Sequence, residues 1–123
     1  MRPEPQVPLV ATTATLAETL RAVTDGGLGT VGVVEAGDRG FLAGVITDGD
    51  VRRAVLRFGD VSRKTAGDLM SNNPKTVAAG ALAEEALATM ERHSIASLFI
   101  LETGTRRPIG IVHLHDLLKA SVA

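Results

Sequence analysis

The strongest constraint on this chain is an internal repeat. Two segments, 44–54 and 110–120, each read glycine, two β-branched residues, a polar residue, two variable residues and an aspartate, before a helical pattern. The residues upstream of each segment also correspond, at an offset that differs by one. A repeat of this kind predicts two structurally similar halves. Because a half of about 50 residues buries little surface alone, we expect the halves to share one core.

Composition narrows the possible functions. The 123 residues carry a formal net charge of −1, so the chain lacks the basic field that non-specific nucleic-acid binding requires. The absence of cysteine excludes disulfides, thiolate metal sites and cysteine nucleophiles. The longest apolar run, residues 41–46, is far too short to cross a membrane. We therefore expect a cytoplasmic protein that contacts neither nucleic acid nor membrane.

Periodicity and turn residues predict the secondary structure. Helices are predicted near 15–25, 48–58, 81–92 and 114–121, and strands near 30–35, 41–47, 97–102 and 108–113, with an extra short strand at 75–77. Hairpin loops are predicted at 38–40 and 104–108. Each half is thus α-β-β-α, and the extra strand leads into the second half.

This order predicts an α/β (α+β) fold of two pseudo-symmetric repeats, each a small sheet flanked by helices, placed face to face. The predicted organisation is a flexible tail at 1–8, a first repeat at 9–58, a polar linker at 59–74 with one short apolar turn at 66–70, and a second repeat at 75–123. Clefts between the halves, near the strand ends, are the expected place for a small ligand.

The predicted strand-to-helix junction at Thr47 and Asp50 supports two interpretations. Thr47 can cap the following helix while Asp50 reaches back to it, as in a capping box. A helix N-terminus also offers free N–H groups to an anion, so Thr47 could donate to a phosphate. The acceptor-only carboxylate of Asp50 suits the vicinal hydroxyls of a sugar. Both interpretations can hold together, since a cap and a ligand can share one turn.

The helix predicted after this junction is both amphipathic and basic. Its apolar residues recur at helical spacing, at Val51, Ala54, Val55 and Phe58. Basic residues cluster along the helix and just after it, at Arg52, Arg53, Arg57, Arg63 and Lys64. The cluster fits a solvated helix face. Alternatively, Arg52 or Arg53 contacts a ligand phosphate or an acidic partner.

The second half holds two histidines on one turn, His113-Leu114-His115-Asp116. Two imidazoles and a carboxylate could bind a divalent metal, but the spacing is poor and no fourth ligand is evident. A capping and hydrogen-bonding role is favoured. The sequence contains no activated serine, Walker-type loop or isolated acidic pair, so the chain by itself is predicted to bind rather than to catalyse.

The duplicated Gly-apolar-apolar-polar-x-x-Asp frame, within residues 8–121, resembles a tandem pair of CBS domains, also called a Bateman module. The resemblance implies that the halves pack through their sheets and that the clefts bind adenosyl or other nucleotide ligands. It implies a phosphate contact at Thr47 and ribose contacts at Asp50 and Asp116. His113 replaces the usual Ser or Thr of the second half, a departure from the pattern for AMP or ATP in the second cleft.

Residues 46–54, 68–76 and 113–118 together resemble the C-terminal CBS pair of the KpsF/GutQ family, the arabinose 5-phosphate isomerases. Those enzymes interconvert ribulose 5-phosphate and arabinose 5-phosphate for Kdo synthesis, which feeds lipopolysaccharide or capsule. Their catalytic sugar isomerase (SIS) domain has no counterpart in these residues. The first segment is also similar to CBS pairs attached to sugar nucleotidyltransferases, and the His-Leu-His-Asp turn favours the isomerase family.

The resemblance implies a regulatory module that senses a nucleotide or nucleotide-sugar (AMP, ATP or a CMP-type ligand) with no required cofactor. Candidate ligand residues are Thr47, Asp50, Asp116, Arg52, Arg53, His113, His115 and Thr76. The expected partners are the SIS domain of the parent chain and a second copy, in a homodimer through the CBS pairs. The alternative is a module that organises an oligomer without a ligand, in which the aspartate and threonine residues are helix caps.

Overall fold

The computed structural model describes residues 2–3, 7–35 and 40–122. The chain divides into two compact units. The first-repeat unit is Pro8–Pro74, and the second-repeat unit is Lys75–Ala123 together with Met1–Val7. The segment 59–74, predicted as a linker, is thus part of the first-repeat unit.

Each unit is built from one small sheet and its helices. In chain order the elements are β1 (Arg2–Pro3), β2 (Leu9–Ala11), α1 (Leu16–Gly26), β3 (Thr30–Val34), β4 (Leu42–Thr47), α2 (Asp48–Phe58), α3 (Ala66–Leu69), β5 (Ser71–Asn72), β6 (Thr76–Ala78), α4 (Ala83–His93), β7 (Ser97–Leu101), β8 (Pro108–His113) and α5 (Leu114–Val122). The strand order is β2-β3-β4-β5 in the first-repeat unit and β1-β8-β7-β6 in the second. The predicted α/β class with two small sheets is confirmed.

The two sheets repeat one another in register. β2 runs parallel to β3 as β6 runs parallel to β7, and the hairpins β3–β4 and β7–β8 are antiparallel. β5 pairs with β4 at Gly44 and Val45, and β1 pairs with β8 at the equivalent Gly110 and Ile111. Thus β1, which precedes the first repeat in the chain, belongs to the sheet of the second repeat. Likewise β5, which precedes the second repeat, belongs to the sheet of the first.

The predicted helices and longer strands are confirmed to within two residues at each end. Three short strands were not predicted, namely β1, β2 and β5. The prediction that only the second half has a leading strand is therefore wrong, because β2 leads the first half as β6 leads the second. The predicted tail at 1–8 contains β1 and the buried residues Val7 and Pro8. Most of the loop predicted at 38–40 lies outside the described residues.

The helices cover one face of each sheet with small apolar side chains. In the first-repeat unit, Val23 of α1 and Ala66 of α3 pack with Val31, Val33 and Ile46 of the sheet. In the second-repeat unit the same role falls to Ala86 and Met90 of α4, which pack against Leu98, Ile100 and Val112. The three strand residues of the first-repeat cluster are fully buried, so the helices and the connecting segments exclude water from that face of the sheet.

The amphipathic face predicted for α2 is only partly buried. Val51 and Ala54 pack against the core of the first-repeat unit. Val55 and Phe58 remain 45% and 56% exposed, and Leu56 is 80% exposed. The apolar stripe is thus longer than the core that it contacts, which periodicity alone does not reveal.

The three helices described in the first-repeat unit, α1, α2 and α3, begin with the same arrangement of hydrogen bonds. Thr15, Thr47 and Thr65 each accept the backbone N–H of an acidic residue three positions on, and that residue accepts the N–H of the threonine. These capping boxes satisfy two N–H groups that a helix start leaves unpaired. Thr15 and Thr65 also form an isolated antiparallel bridge, so two of the caps adjoin.

The caps should make stability depend on acidity. Hydrogen bonds from Thr15 hold the pKa of Glu18 below its usual 4.5, and those from Thr65 hold the pKa of Asp68 below 3.8. A carboxyl with a lower pKa in the folded chain favours folding above its unfolded pKa, and this contribution disappears as pH falls through the folded value. We therefore expect urea denaturation to show a falling free energy of unfolding below about pH 4.5. In Glu18→Gln, which keeps an acceptor oxygen without a titrating proton, the fall should be shallower. An equally steep fall would contradict the prediction.

Gly44 in β4 leaves no space for a side chain. A Cβ there would lie 2.6 Å from the Ser71 carbonyl oxygen and 2.7 Å from the Met70 sulfur. We expect Gly44→Ala to lower the free energy of unfolding by about 1–3 kcal/mol, because β5 must shift. Urea denaturation measures the loss. Gly49→Ala in α2 is the matched control, since its Cβ meets only the flexible Arg53 guanidinium, at 3.1 Å, and the helix gains propensity. Equal losses in both variants would contradict the steric explanation.

Candidate functional site

The first candidate site is the junction where β4 ends and α2 begins. Thr47 has extended backbone angles, and the helix starts at Asp48. Its Oγ1 accepts the Asp50 N–H at 3.1 Å, and Asp50 Oδ2 accepts the Thr47 N–H at 2.9 Å. The predicted capping box is confirmed, so both candidate residues hold the helix start whatever else they bind.

The other carboxylate oxygen of Asp50 accepts hydrogen bonds from two further side chains. Arg53 Nη2 donates to Asp50 Oδ1 at 2.7 Å, and Ser71 Oγ lies 3.4 Å from the same oxygen. The Arg53 side chain is 67% exposed, whereas that of Asp50 is 15% exposed. Ser71 is not among the residues predicted from the sequence, because only the pairing of β5 with β4 brings it here.

The backbone of Gly29, just before β3, also contacts the junction. The Asp48 N–H donates to the Gly29 carbonyl at 3.1 Å, and Gly29 has a φ of 71° that favours glycine. A Cβ on Gly29 would lie 3.2 Å from Asp48 Oδ2. Two of the first-turn N–H groups of α2, those of Asp48 and Asp50, are thus already bonded within the chain. An anion here would be bound mainly by side-chain donors.

The second candidate site is the equivalent junction between β8 and α5. The His115 N–H donates to Nδ1 of His113 at 3.1 Å, so the imidazole replaces the threonine hydroxyl as the cap. The Leu114 N–H donates to the Ala96 carbonyl at 2.7 Å, as Asp48 does to Gly29. An Nδ1 that accepts carries no proton, so the neutral ring carries its proton on Nε2. The predicted capping role of the histidine turn is confirmed.

Asp116 differs from its first-repeat counterpart. Its carboxylate is half-buried in the first turn of α5, and no described residue forms a hydrogen bond or ion pair with it. Asp50, by contrast, accepts from the cap and from Arg53. The two junctions therefore share a backbone plan and differ in the side chains that they offer to a ligand.

The structure assigns the candidate residues to two groups. Thr47, Asp50 and Arg53 are bonded together, and Arg52 is exposed on α2 two positions after Asp50. The second-repeat unit contains the others, namely His113, His115, Asp116 and Thr76. Of these, Thr76 begins β6, opposite Phe99, and is half-buried.

Two general features of the described residues bear on function. Within the described ranges, no three His, Asp or Glu side chains lie close enough to share a metal ion. None of the helices in that part of the chain is both long and apolar enough to cross a membrane.

The repeated β-α-β-β-α plan and its two matching junctions define a tandem pair of one small α/β domain. The family model of the CBS domain matches residues 1–57 and 66–123. The chain belongs to the CBS domain family, as the sequence analysis predicted.

Comparison with individual proteins sharpens this assignment. The arabinose 5-phosphate isomerase KdsD of Pseudomonas aeruginosa is 40% identical over 116 residues, which are 94% of this chain and 35% of the relative. The chain thus spans about a third of that curated relative's length. The predicted resemblance to arabinose 5-phosphate isomerases is confirmed for these residues.

Solved CBS structures share the fold. The CBSX2 protein in complex with AMP superposes with a TM-score of 0.78 at 19% identity, covering 99% of this chain and 92% of that one. A CBS domain pair in complex with 5′-methylthioadenosine and S-adenosyl-L-methionine gives a TM-score of 0.81 at 19% identity, covering 98% and 91%. At these identities the likeness establishes the architecture.

The cap at Thr47 has a measurable energetic role. We expect Thr47→Ala to lower the free energy of unfolding by about 1 kcal/mol, because α2 loses the acceptor for the Asp50 N–H. Thr47→Ser should keep most of the stability. Thr15→Ala, which removes the matching cap of α1, should cost a similar amount. Urea denaturation of the four proteins tests this, and an unchanged midpoint in Thr47→Ala would contradict the capping role.

Proposed function

We propose that the chain is the ligand-sensing CBS pair of a cytoplasmic arabinose 5-phosphate isomerase and binds a nucleotide or nucleotide-sugar at the Thr47–Asp50 junction. The observation that carries the proposal is the chemistry of that junction. A hydroxyl, a carboxylate and a guanidinium converge within the first two turns of α2, at the end of a strand. Donor groups of this kind suit a phosphate, and the carboxylate suits sugar hydroxyls.

Each side chain of the junction has a defined role in the proposal. Thr47 Oγ1 accepts the Asp50 N–H and keeps its own proton for a phosphate oxygen. Asp50 Oδ1 accepts ribose hydroxyls in place of the weak Ser71 contact at 3.4 Å. Arg53, which is largely exposed, swings from Asp50 toward the phosphate, and Arg52 adds a second positive charge.

The second junction presents different side chains to the same class of ligand. His113 donates through Nε2 because its Nδ1 holds the cap. Asp116 supplies a carboxylate that forms no hydrogen bond or ion pair with any described residue. His115 and Thr76 are the less central candidates in this unit. The difference between the junctions supports unequal affinities of the two repeats for one nucleotide.

The isomerase context rests on the relatives. The 40% identity to KdsD extends over 94% of this chain, and the remaining two thirds of the relative's length leave room for a catalytic SIS domain. That relative favours an isomerase parent over a sugar nucleotidyltransferase. Ligand binding would then shift the population of active catalytic domains by its differential affinity for their states.

Titration calorimetry of this chain with AMP, ATP, CMP and CMP-Kdo tests the proposal. We expect heat with at least one ligand, and binding about tenfold weaker or worse in Asp50→Asn, which loses the charge that sugar hydroxyls meet. Thr47→Ala should weaken phosphate-bearing ligands similarly. Thr15→Ala is the matched control, since it loses an equivalent cap without a candidate ligand contact. No heat with any of the four ligands would overturn the nucleotide proposal.

A second candidate function is oligomer organisation without a ligand. The specific observation in its favour is that the capping box already explains both Thr47 and Asp50. Sedimentation of the wild type and of Asp50→Ala, each with and without nucleotide, distinguishes the two candidates. An oligomer that no ligand changes would favour this second function, whereas a ligand-dependent shift that Asp50→Ala abolishes would favour the first.

A further inference from the structure

Both oxygens of the Asp50 carboxylate are bonded within the chain. Oδ2 accepts the Thr47 N–H at 2.9 Å, and Oδ1 accepts Arg53 Nη2 at 2.7 Å, with Ser71 Oγ at 3.4 Å from the same oxygen. The Asp50 side chain is 15% exposed, so little of the carboxylate faces solvent. A pair of sugar hydroxyls that binds at Oδ1 must therefore displace donors that the chain itself supplies.

Arg53 is the donor that a ligand can move most easily. The Thr47 N–H belongs to the backbone cap, and Ser71 is held by the pairing of β5 with β4. The Arg53 side chain is 67% exposed, by contrast, and its guanidinium lies beside Gly49, where a Cβ would come within 3.1 Å of Nη1. The glycine thus leaves open the space that the guanidinium occupies at the first turn of α2. Arg53 is a displaceable cover over the carboxylate.

The second junction has no corresponding cover. Lys119 follows Asp116 by three positions, as Arg53 follows Asp50. Asp116 nevertheless forms no hydrogen bond or ion pair with any described residue. A basic residue at this spacing therefore does not by itself produce the contact. The bond between Arg53 and Asp50 distinguishes the first junction from the second.

Displacing Arg53 has different consequences for two kinds of ligand. A ligand with sugar hydroxyls and no phosphate takes the place of the guanidinium at Oδ1 and gives it no new anionic partner. Breaking the ion pair then lowers the affinity for that ligand. A ligand that carries a phosphate beside the sugar offers the guanidinium a new partner, and arginine–phosphate hydrogen bonds are strong because both groups are charged. The exchange therefore disfavours a nucleoside and favours a nucleotide.

We propose that Arg53 is the residue that makes the first junction select phosphorylated ligands, because it covers the Asp50 carboxylate until a phosphate draws the guanidinium away. This inference rests on the proposed function, since it requires a ligand at the Thr47–Asp50 junction. It goes further by assigning the discrimination between nucleotide and nucleoside to one side chain. An arginine that only supported the junction structurally would change the affinities for both ligands in the same direction. Arg53 changes them in opposite directions.

NMR titration of the ¹⁵N-labelled chain tests the proposal, with the amide signals of Gly49 and Asp50 as reporters of the first junction. The ligand pairs are AMP with adenosine and CMP with cytidine, which differ by the phosphate alone. In Arg53→Met, the nucleotide that binds the wild type should bind about tenfold more weakly or worse, because a charge-assisted hydrogen bond is lost. The matching nucleoside should bind about twofold to fivefold more tightly, because no exposed ion pair has to break.

Arg57→Met is the matched control. It removes the same charge one turn further along α2, from a side chain that contacts the Phe58 ring. Its affinities for both ligands should stay close to those of the wild type, and the dispersion of the amide signals shows whether each variant is folded. An effect of Arg57→Met equal to that of Arg53→Met would assign the change to net charge and overturn the inference.

Two further outcomes separate this inference from the proposed function. If a nucleotide shifts the reporter signals but the nucleoside binds no better to Arg53→Met than to the wild type, the inference is overturned and the proposed function stands. If neither nucleotide shifts the reporter signals of the wild type, the proposed function is overturned and the inference falls with it.

Discussion

The hydrogen bonds that start α2 hold the candidate site together. Thr47 and Asp50 bond to one another's backbone, which fixes the residue at which β4 ends and the helix begins. Once that residue is fixed, the helical spacing places Arg53 over Asp50. Ser71 reaches the same carboxylate because β5 pairs with β4, the strand that ends at Thr47. If the first turn frayed, Asp50 and Arg53 would move away from Thr47 and Ser71, so any ligand chemistry here depends on the cap.

The two repeats cap the N-termini of their helices with different side chains. In the described part of the first-repeat unit, each helix starts from a threonine and an acidic partner. In the second-repeat unit, α4 follows Leu82, whose side chain provides no cap, and α5 starts with the His113 ring as acceptor. An imidazole that accepts cannot also be protonated at that nitrogen, whereas a hydroxyl can accept and donate together. Duplication therefore preserved the backbone plan and left the side chains free to diverge.

Most of the fold could be predicted from the sequence, because most elements are marked by the spacing of their apolar residues or by capping and turn residues. Strands β4 and β8 follow from aliphatic residues before a polar cap, and α2 was predicted at its observed bounds from Thr47 and the apolar spacing after it. The two-residue strands β1 and β5 have no period to detect, and they join their sheets only through long-range pairing. The contact of Ser71 with Asp50 depends on that pairing, so it was inaccessible from the sequence. The exposure of Val55 and Phe58 was missed for the related reason that periodicity identifies a face but not what covers it.

Helix α2 connects the candidate ligand junction to the core of the first-repeat unit. Its first turn carries Asp50, and Val51 and Ala54 of the same helix pack against that core. A ligand that moves the first turn therefore moves a packed element, so its effect on the rest of the unit passes through these two contacts. Thermodynamic linkage then requires that a state of the chain which binds the ligand more tightly become more populated by the ratio of the two affinities.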